Sequence, residues 1–338
     1  MSATLFVLDI SSEQGTGHLY RCTTLALCLA QAGVHSVIAY RGQESYVRKL
    51  GLIDRFPTVR IPADSSTREE IAELSNIAKR FAATVSVIDH YRADPAYQTL
   101  LATLGMPWMQ FDNSASFGLR AHWIVNINPS ASKDAYSNIC APDSHLLLGP
   151  AYAVLRPEFQ KARKAYVPAP IISRSLIFLG GGNVLTPLRR LLYLLLPAFP
   201  NIAFHVVASG SFSQQLQEFR HFSNFIWVGE VSEFSRTLKM MDLAIVSAGT
   251  SSYECACVGV PFVTIEVAVN QAPIAAAWAS LGIAPRLGRW ELIEKQAVCA
   301  TLTEALPLAD RNWRSEHGRS LVDGQGALRL CSHIREGV

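Results

Sequence analysis

The sequence predicts an α/β protein made of two doubly wound, parallel-sheet domains. Three observations lead there. The chain has 338 residues, and domains commonly run to about 100–200 residues, so two fit better than one. Short apolar runs alternate with helix-period segments through both halves, as expected of strands buried on both faces beneath helices. Around residues 140–172 that alternation loosens into a proline-rich, charged stretch, "CAPDSHLLLGPAYAVLRPEFQKARKAYVPAPII", which reads as the connection between the halves. The expected division is 1–155 and 156–338, two α/β domains facing each other across a cleft, with a last helix able to return to the N-terminal domain.

In the first half the strand candidates are 4–10, 36–41, 85–89, 108–111 and 123–127. Helix-like segments lie at 18–32, 44–50, 67–81 and 95–104. The first helix places Cys22, Leu25, Ala26 and Leu29 on one face and stops at Gly33, a residue suited to the left-handed position after a helix. In the second half the strand candidates are 175–179, 203–208, 225–228, 243–247 and 261–267, with helices between them. One of those helices is expected to open with Thr186 as N-cap and Pro187 at its first position. A helix at 292–306 and a long C-terminal helical region close the chain.

Composition limits the function classes. The chain is 49% hydrophobic and 17% charged, which suits globular cores rather than disorder. A net charge of +3, without any Lys/Arg-rich block, speaks against nucleic acid as partner. The N-terminus lacks a signal-peptide pattern. The most apolar stretches, 191–199 and 255–279, are broken by Pro197, Pro261, Glu266 and Pro273, so no integral membrane segment is expected. Seven cysteines, an odd number at irregular spacing with no CxxC pair, read as reduced core thiols rather than a zinc site or disulfide framework. These features point to a cytoplasmic protein, and a monomer is the expected state.

Four segments carry chemistry. "DISSEQGTGHLYRC" (9–22) runs from strand through Gly15 and Gly17 into a helix start, a ready anion site because backbone N–H groups and the helix dipole favour negative charge. A dinucleotide fingerprint fails here. Tyr20 stands where its third glycine belongs, and Tyr40–Arg41 stand where an acid should end the second strand, although an arginine there could meet a 2′-phosphate. His18 opens the helix, where the dipole favours a neutral ring able to accept a proton, and Arg21 follows one turn later. "VIDHYRAD" (87–94) brings Asp89, His90 and Tyr91 to a strand's carboxyl end. Asp89 and His90 are adjacent, so they point to opposite faces, and they could equally be turn residues capping the next helix. "VSAGTSSYE" (246–254) sets small residues with many backbone donors, Gly249, Thr250, Ser251 and Ser252, at a helix start fit for a diphosphate. Glu254 is one turn in, able to accept both hydroxyls of a ribose. Asn270 and Gln271 follow the next strand with amides for a second ligand group. "GGGN" (180–183) is a further glycine-rich turn. Arg156, at the domain junction, could neutralise a phosphate in the cleft or equally form an interdomain salt bridge with Glu158 or another acid.

Taken in order, "GTGHLYRC", "VIDHYRAD", "VNIN", "LLLGPAYAVLRPEF", "FLGGGN", "VSAGTSSYECACVGVP", "NQ" and "LVDGQGALRL" make the chain resemble the UDP-sugar hydrolases of pseudaminic acid biosynthesis. That family is related to SpsG and, more distantly, to MurG. The resemblance implies a GT-B fold, with UDP held mainly by the C-terminal domain and the sugar side in the N-terminal one. It implies inverting cleavage of the anomeric C–O bond of a UDP-linked 2,4-diacetamido-2,4,6-trideoxyhexose (a β-L-altropyranose), releasing UDP, with neither metal nor cofactor. By the same resemblance His18 activates the attacking water and Glu254 holds the ribose. Arg156 and Tyr91 meet the substrate, as would Gly15, Gly17, Arg21, Asn270 and Gln271. The chain departs from the family's pattern at Val269, at Gly180–Asn183 and at Phe111–Asn113. The alternative is a GT-B glycosyltransferase of surface polysaccharide synthesis using a nucleotide-sugar donor. Trp108 and Trp123 are the candidates for its acceptor surface.

Overall fold

A computed structural model describes residues 2–10, 17–42 and 55–337. The helix expected at 44–50 and the candidate Gly15 lie outside the described residues. The chain divides into two compact units, Met1–Leu155 with Gln325–Val338, and Arg156–Gly324.

The first unit contains β1 (Ala3–Ile10), α1 (Gly17–Gln31), β2 (His35–Gly42), β3 (Thr58–Ile61), α2 (Thr67–Phe81), β4 (Ala83–Asp89) and α3 (Pro95–Ala102). It continues through β5 (Trp108–Phe111), β6 (Trp123–Asn126) and β7 (His145–Leu148), and it takes in the C-terminal helix Gly326–Glu336. The sheet order is β3-β2-β1-β4-β5-β6-β7, all parallel. Period-two alternation sorts the strand side chains. Phe6, Leu8, Val85 and Val87 pack beneath α1 and the C-terminal helix with Leu25, Leu29, Leu330 and Ile334. Leu5, Val7 and Ile88 pack on the other face with Ile71, Leu74 and Tyr97 of α2 and α3. Each fully buried leucine contributes about 1.5–3 kcal/mol of apolar transfer. The local signals agree with this packing. Gly33 takes φ +79 after α1. Ser66 and Glu69 cap α2 reciprocally, Glu69 N donating to Ser66 Oγ at 3.3 Å and Ser66 N to Glu69 Oε2 at 2.7 Å.

The second unit contains α4 (Pro157–Ala165), β8 (Arg174–Phe178), α5 (Leu185–Ala198), β9 (Ala203–Val207), β10 (Phe225–Gly229), α6 (Phe234–Leu238), β11 (Leu243–Ser247) and α7 (Thr250–Val258). It ends with β12 (Phe262–Glu266), α8 (Ala272–Ser280), β13 (Arg286–Arg289), α9 (Lys295–Ala305) and α10 (Leu308–Leu321). Its sheet order is β10-β9-β8-β11-β12-β13, again parallel. In both sheets the order reverses at one place, between β1 and β4 and between β8 and β11. In open α/β sheets ligands collect at such a reversal, in the crevice outside the carboxyl ends of the strands.

Three expectations are corrected. Residues 140–172 are not a bare connection. β7 pairs with β6 there and α4 begins at Pro157, because "HLLL" is long enough to add a strand and Pro157 suits a first helical position. Thr186 does not cap α5. The helix begins two residues earlier, with Leu188 N donating to Val184 O at 3.0 Å, and Val184 is the N-cap with no side-chain bond. The C-terminal helical region is two helices, separated at Val322–Gln325 where Gly324 takes φ +78. Among the described residues no helix is long and apolar enough to cross a membrane.

Candidate active site

In the first unit the crevice between β1 and β4 gathers a buried charge cluster on the α1 face. Asp89 ends β4 and is 1% exposed. α1 presents His18, Arg21 and Cys22 to it, positions i, i+3 and i+4 of one helix face. His18 Nδ1 lies 2.7 Å from Asp89 Oδ1 and 3.1 Å from the Asp89 main-chain oxygen. Arg21 donates from Nε to Oδ2 at 2.8 Å and from Nη2 to Oδ1 at 2.5 Å. The Cys22 thiol donates to Oδ2 at 3.4 Å. Burial alone would push the Asp89 carboxyl up. The Arg21 and His18 charges and hydrogen bonds outweigh it and hold the group well below the usual carboxylate range. An ionised Asp89 accepts from Nδ1–H, so Nδ1 is committed and base chemistry falls to Nε2. The Arg21 guanidinium lies over the Phe111 ring at 4.0 Å, and Tyr91, half exposed, meets the His18 ring edge-on at 5.2 Å. Gly17 is the first residue of α1.

Asp89 was visible in the sequence only as a turn or strand-end residue. The capping role goes instead to Asp94, whose Oδ1 accepts from Tyr97 N at 2.7 Å. The dipole argument for His18 is superseded by this partner, a full charge within hydrogen-bond distance. His90 turns to the opposite face, against Tyr97 at 4.9 Å, and among the described residues neither ring nitrogen has a hydrogen-bond partner. Burial, then the Arg92 charge, pushes His90 down to about 4. On the same face Arg92 clamps Asp9 (2.9 and 3.0 Å) and Glu70 (2.8 Å). Arg41 also pairs with Glu70, at 2.5 Å, and donates to the main chain of Ala63 and Ser65, so its guanidinium is committed inside the unit rather than held out for a 2′-phosphate. Trp108 and Trp123 are buried in the two faces of the sheet and offer no acceptor surface.

In the second unit the crevice lies between β8 and β11. β11 ends at Ser247, and Gly249 is the N-cap of α7, which carries no side-chain cap. The serine hydroxyls are used internally. Ser251 Oγ donates to Ser247 O at 3.2 Å, and Ser252 Oγ donates to Gly249 O at 2.7 Å while accepting from Trp278 Nε1 at 3.0 Å. Any anion at this turn therefore meets backbone N–H groups and exposed Thr250, not the Ser251 and Ser252 hydroxyls. Gly180 takes φ +103 across the crevice, and a β-carbon there would come 3.8 Å from Ser247 Oγ. Gln271 accepts from Val267 N through Oε1 at 2.9 Å, which leaves its Nε2 beside Gly249. Asn270 is exposed.

Glu254, 8% exposed, lies one turn into α7. Burial pushes its carboxyl up to about 7, opposed by the Arg156 charge and assisted by that of Glu158. Arg156, the N-cap of α4, reaches Glu158 at 3.2 Å and Glu254 at 3.7 Å and lies 5.2 Å from the Phe159 ring centre. Both acids belong to the same unit as Arg156, so this is no interdomain bridge. Among the described residues no cluster of His, Cys, Asp and Glu is arranged to hold a metal ion.

No protein-family model matches the chain. In sequence it is similar to the spore coat polysaccharide biosynthesis protein SpsG of Bacillus subtilis (strain 168), 28% identical over 200 residues. That match covers 56% of this chain and 57% of SpsG, so the chain spans little more than half the length of its relative. In fold it is similar to MurG of Acinetobacter baumannii, with TM-score 0.70 and 15% identity over 99% of both chains. It is similar too to the spinosyn rhamnosyltransferase SpnG complexed with thymidine diphosphate, with TM-score 0.67 and 13% identity over 98% of this chain and 100% of that one. At such identities the structures show the fold alone. The chain is SpsG-like in sequence and has the GT-B fold, as its motifs led one to expect.

Proposed function

We propose that this protein is a nucleotide-sugar enzyme that hydrolyses a UDP-linked 2,4-diacetamido-2,4,6-trideoxyhexose to UDP and the free sugar, in the cytoplasm and without metal. The observation that carries the reading is the buried His18–Asp89–Arg21 constellation at the crevice of the first sheet. Asp89 orients the imidazole and stabilises the positive charge that builds on it as Nε2 takes a proton from water. Water attacks the anomeric carbon, the C–O bond to the diphosphate breaks, and the electron pair leaves with UDP. That leaving group is already a stabilised anion. The uncapped start of α7, Arg156 and the Gln271 amide are suited to the charge that grows on it, so no strong general acid is needed. Glu254 receives the ribose hydroxyls. Tyr91, Gly15, Gly17, Arg21 and Asn270 belong to the sugar and substrate side of this reading.

A second reading is transfer of the sugar to an acceptor hydroxyl in surface polysaccharide synthesis. It is supported by the name of SpsG and by the fold shared with SpnG. Turnover in ¹⁸O-water without acceptor separates the two. Hydrolysis at carbon puts the label in the free sugar and none in UDP. Label in UDP means attack at phosphorus and overturns the assignment of His18. Turnover that needs an added hydroxyl acceptor establishes transfer instead.

A further inference from the structure

The first unit holds a thiol pair that the proposed reaction does not use. Cys28 lies on α1 and is partly exposed, whereas Cys331 lies on the C-terminal helix and is buried. The two helices pack over one face of the sheet, and each thiol approaches the other helix reciprocally. Cys28 Sγ is 3.8 Å from Ala327 O, one turn before Cys331, and Cys331 Sγ is 3.7 Å from Leu25 O, one turn before Cys28. The neighbouring Cys331 thiol draws the Cys28 thiol below its ordinary value, and Cys28 in turn pushes Cys331 up. Exposure divides the labour in the same sense, with partly exposed Cys28 open to a solute as the attacking sulfur and buried Cys331 behind it as the resolving one. The buried thiols elsewhere are protected instead. Burial pushes Cys22 and Cys255 well up and Cys257 up to about 11.

We propose that Cys28 and Cys331 are a modification site, oxidised by hydroperoxides to a disulfide that staples the C-terminal helix to α1. The Cys28 thiolate attacks one peroxide oxygen and the O–O bond breaks. Cys28 becomes a sulfenic acid, and the departing oxygen takes a proton as water or an alcohol. The Cys331 sulfur then attacks the Cys28 sulfur, the S–O bond breaks, and hydroxide leaves with the Cys331 proton as water. Two thiols give up two electrons in all, and the peroxide accepts them. Because α1 also carries His18 and Arg21, the staple ties the two ends of the first unit together behind the candidate base.

The test uses the full-length folded protein with a small molar excess of hydrogen peroxide. The expected product is lighter by two hydrogens and is restored by dithiothreitol. Its non-reduced digest contains a peptide joining Cys28 to Cys331. In Cys331→Ser the reaction stops at Cys28, which is trapped as a dimedone adduct. The proposal is overturned if both wild-type thiols remain open to alkylation after treatment, or if Cys28 gains oxygen without the cross-link. Absence of the dimedone adduct in Cys331→Ser overturns the assignment of Cys28 as the attacking sulfur.

Discussion

If Glu254 receives the ribose, UDP binding is coupled to loss of its proton. Two hydroxyls donating one to each oxygen are met best by an ionised carboxylate, since a protonated one carries an O–H on one of them, and burial holds the Glu254 carboxyl up near 7. Affinity should therefore plateau above that value and fall as pH drops through it. At pH 6 about one molecule in ten is ionised, so binding should be about tenfold weaker than the plateau, roughly 1.4 kcal/mol. The free protein carries the converse cost. Its folded carboxyl titrates above the unfolded value of 4.5, so stability is highest below that value and is lost as pH rises toward 7, by about 3 kcal/mol. UDP should restore much of this at pH 8. Titration calorimetry from pH 6 to 8, in two buffers of different ionisation enthalpy, reads both the affinity and the proton released. Glu254→Gln keeps the length and removes the titration, so the two proteins should bind alike at pH 6 and diverge at pH 8. Any slope from the terminal phosphate of UDP itself remains in both. Equal slopes for wild type and Glu254→Gln would refute the role assigned to Glu254.

Three further predictions follow from the geometry. Asp89→Asn should lower kcat by about a hundred- to ten-thousand-fold while leaving the Kd for UDP unchanged, because it removes the acceptor that orients His18; a matching loss in UDP affinity would mean a structural role only. His90 should make the fold acid-sensitive. With Arg92, Asp9, Glu70, Asp89 and Tyr97 around it, it is held near 4 when folded against 6.5 unfolded, so the unfolded chain binds the extra proton. Stability should then drop by about 3 kcal/mol as pH falls from 6.5 to 4. Urea unfolding at several pH values should show that slope vanish in His90→Phe, and a retained slope would point to another group. Gly326→Ala should cost upwards of about 1–3 kcal/mol and lower Tm, since its β-carbon would come within 2.3 Å of Ala153 O, a main-chain atom that cannot swing away. Gly210→Ala, with nothing within 4 Å, is the control that should stay near wild type.

Much of the architecture was legible because it rests on local chemistry. The β1, β4 and β11 runs are mostly apolar, Gly33 ends α1, and Ser66 with Glu69 marks the start of α2. β3, β7 and β13 escaped notice because "TVRI", "HLLL" and "RLGR" are four residues each. Strands that short take their identity from a neighbouring ladder rather than from their own periodicity. The N-cap at Thr186 failed for a related reason. Its cap chemistry is sound, but burying Val184 at 7% exposure begins the helix earlier.

At the candidate site the division is equally physical. Sequence spacing alone places His18, Arg21 and Cys22 on one helix face, sends Asp89 and His90 to opposite faces of a strand, and puts Glu254 one turn past a small-residue turn, because helix and strand periods are properties of the backbone. Tertiary structure decides what those faces meet. It brings Asp89 to His18 across 71 positions of sequence. It commits Arg41 to Glu70, spends the Ser251 and Ser252 hydroxyls inside their own turn, and buries Trp108 and Trp123. Partnership, burial and the resulting proton affinities depend on which elements pack together, and that is settled by the sheet order of the folded units rather than by any short stretch of residues.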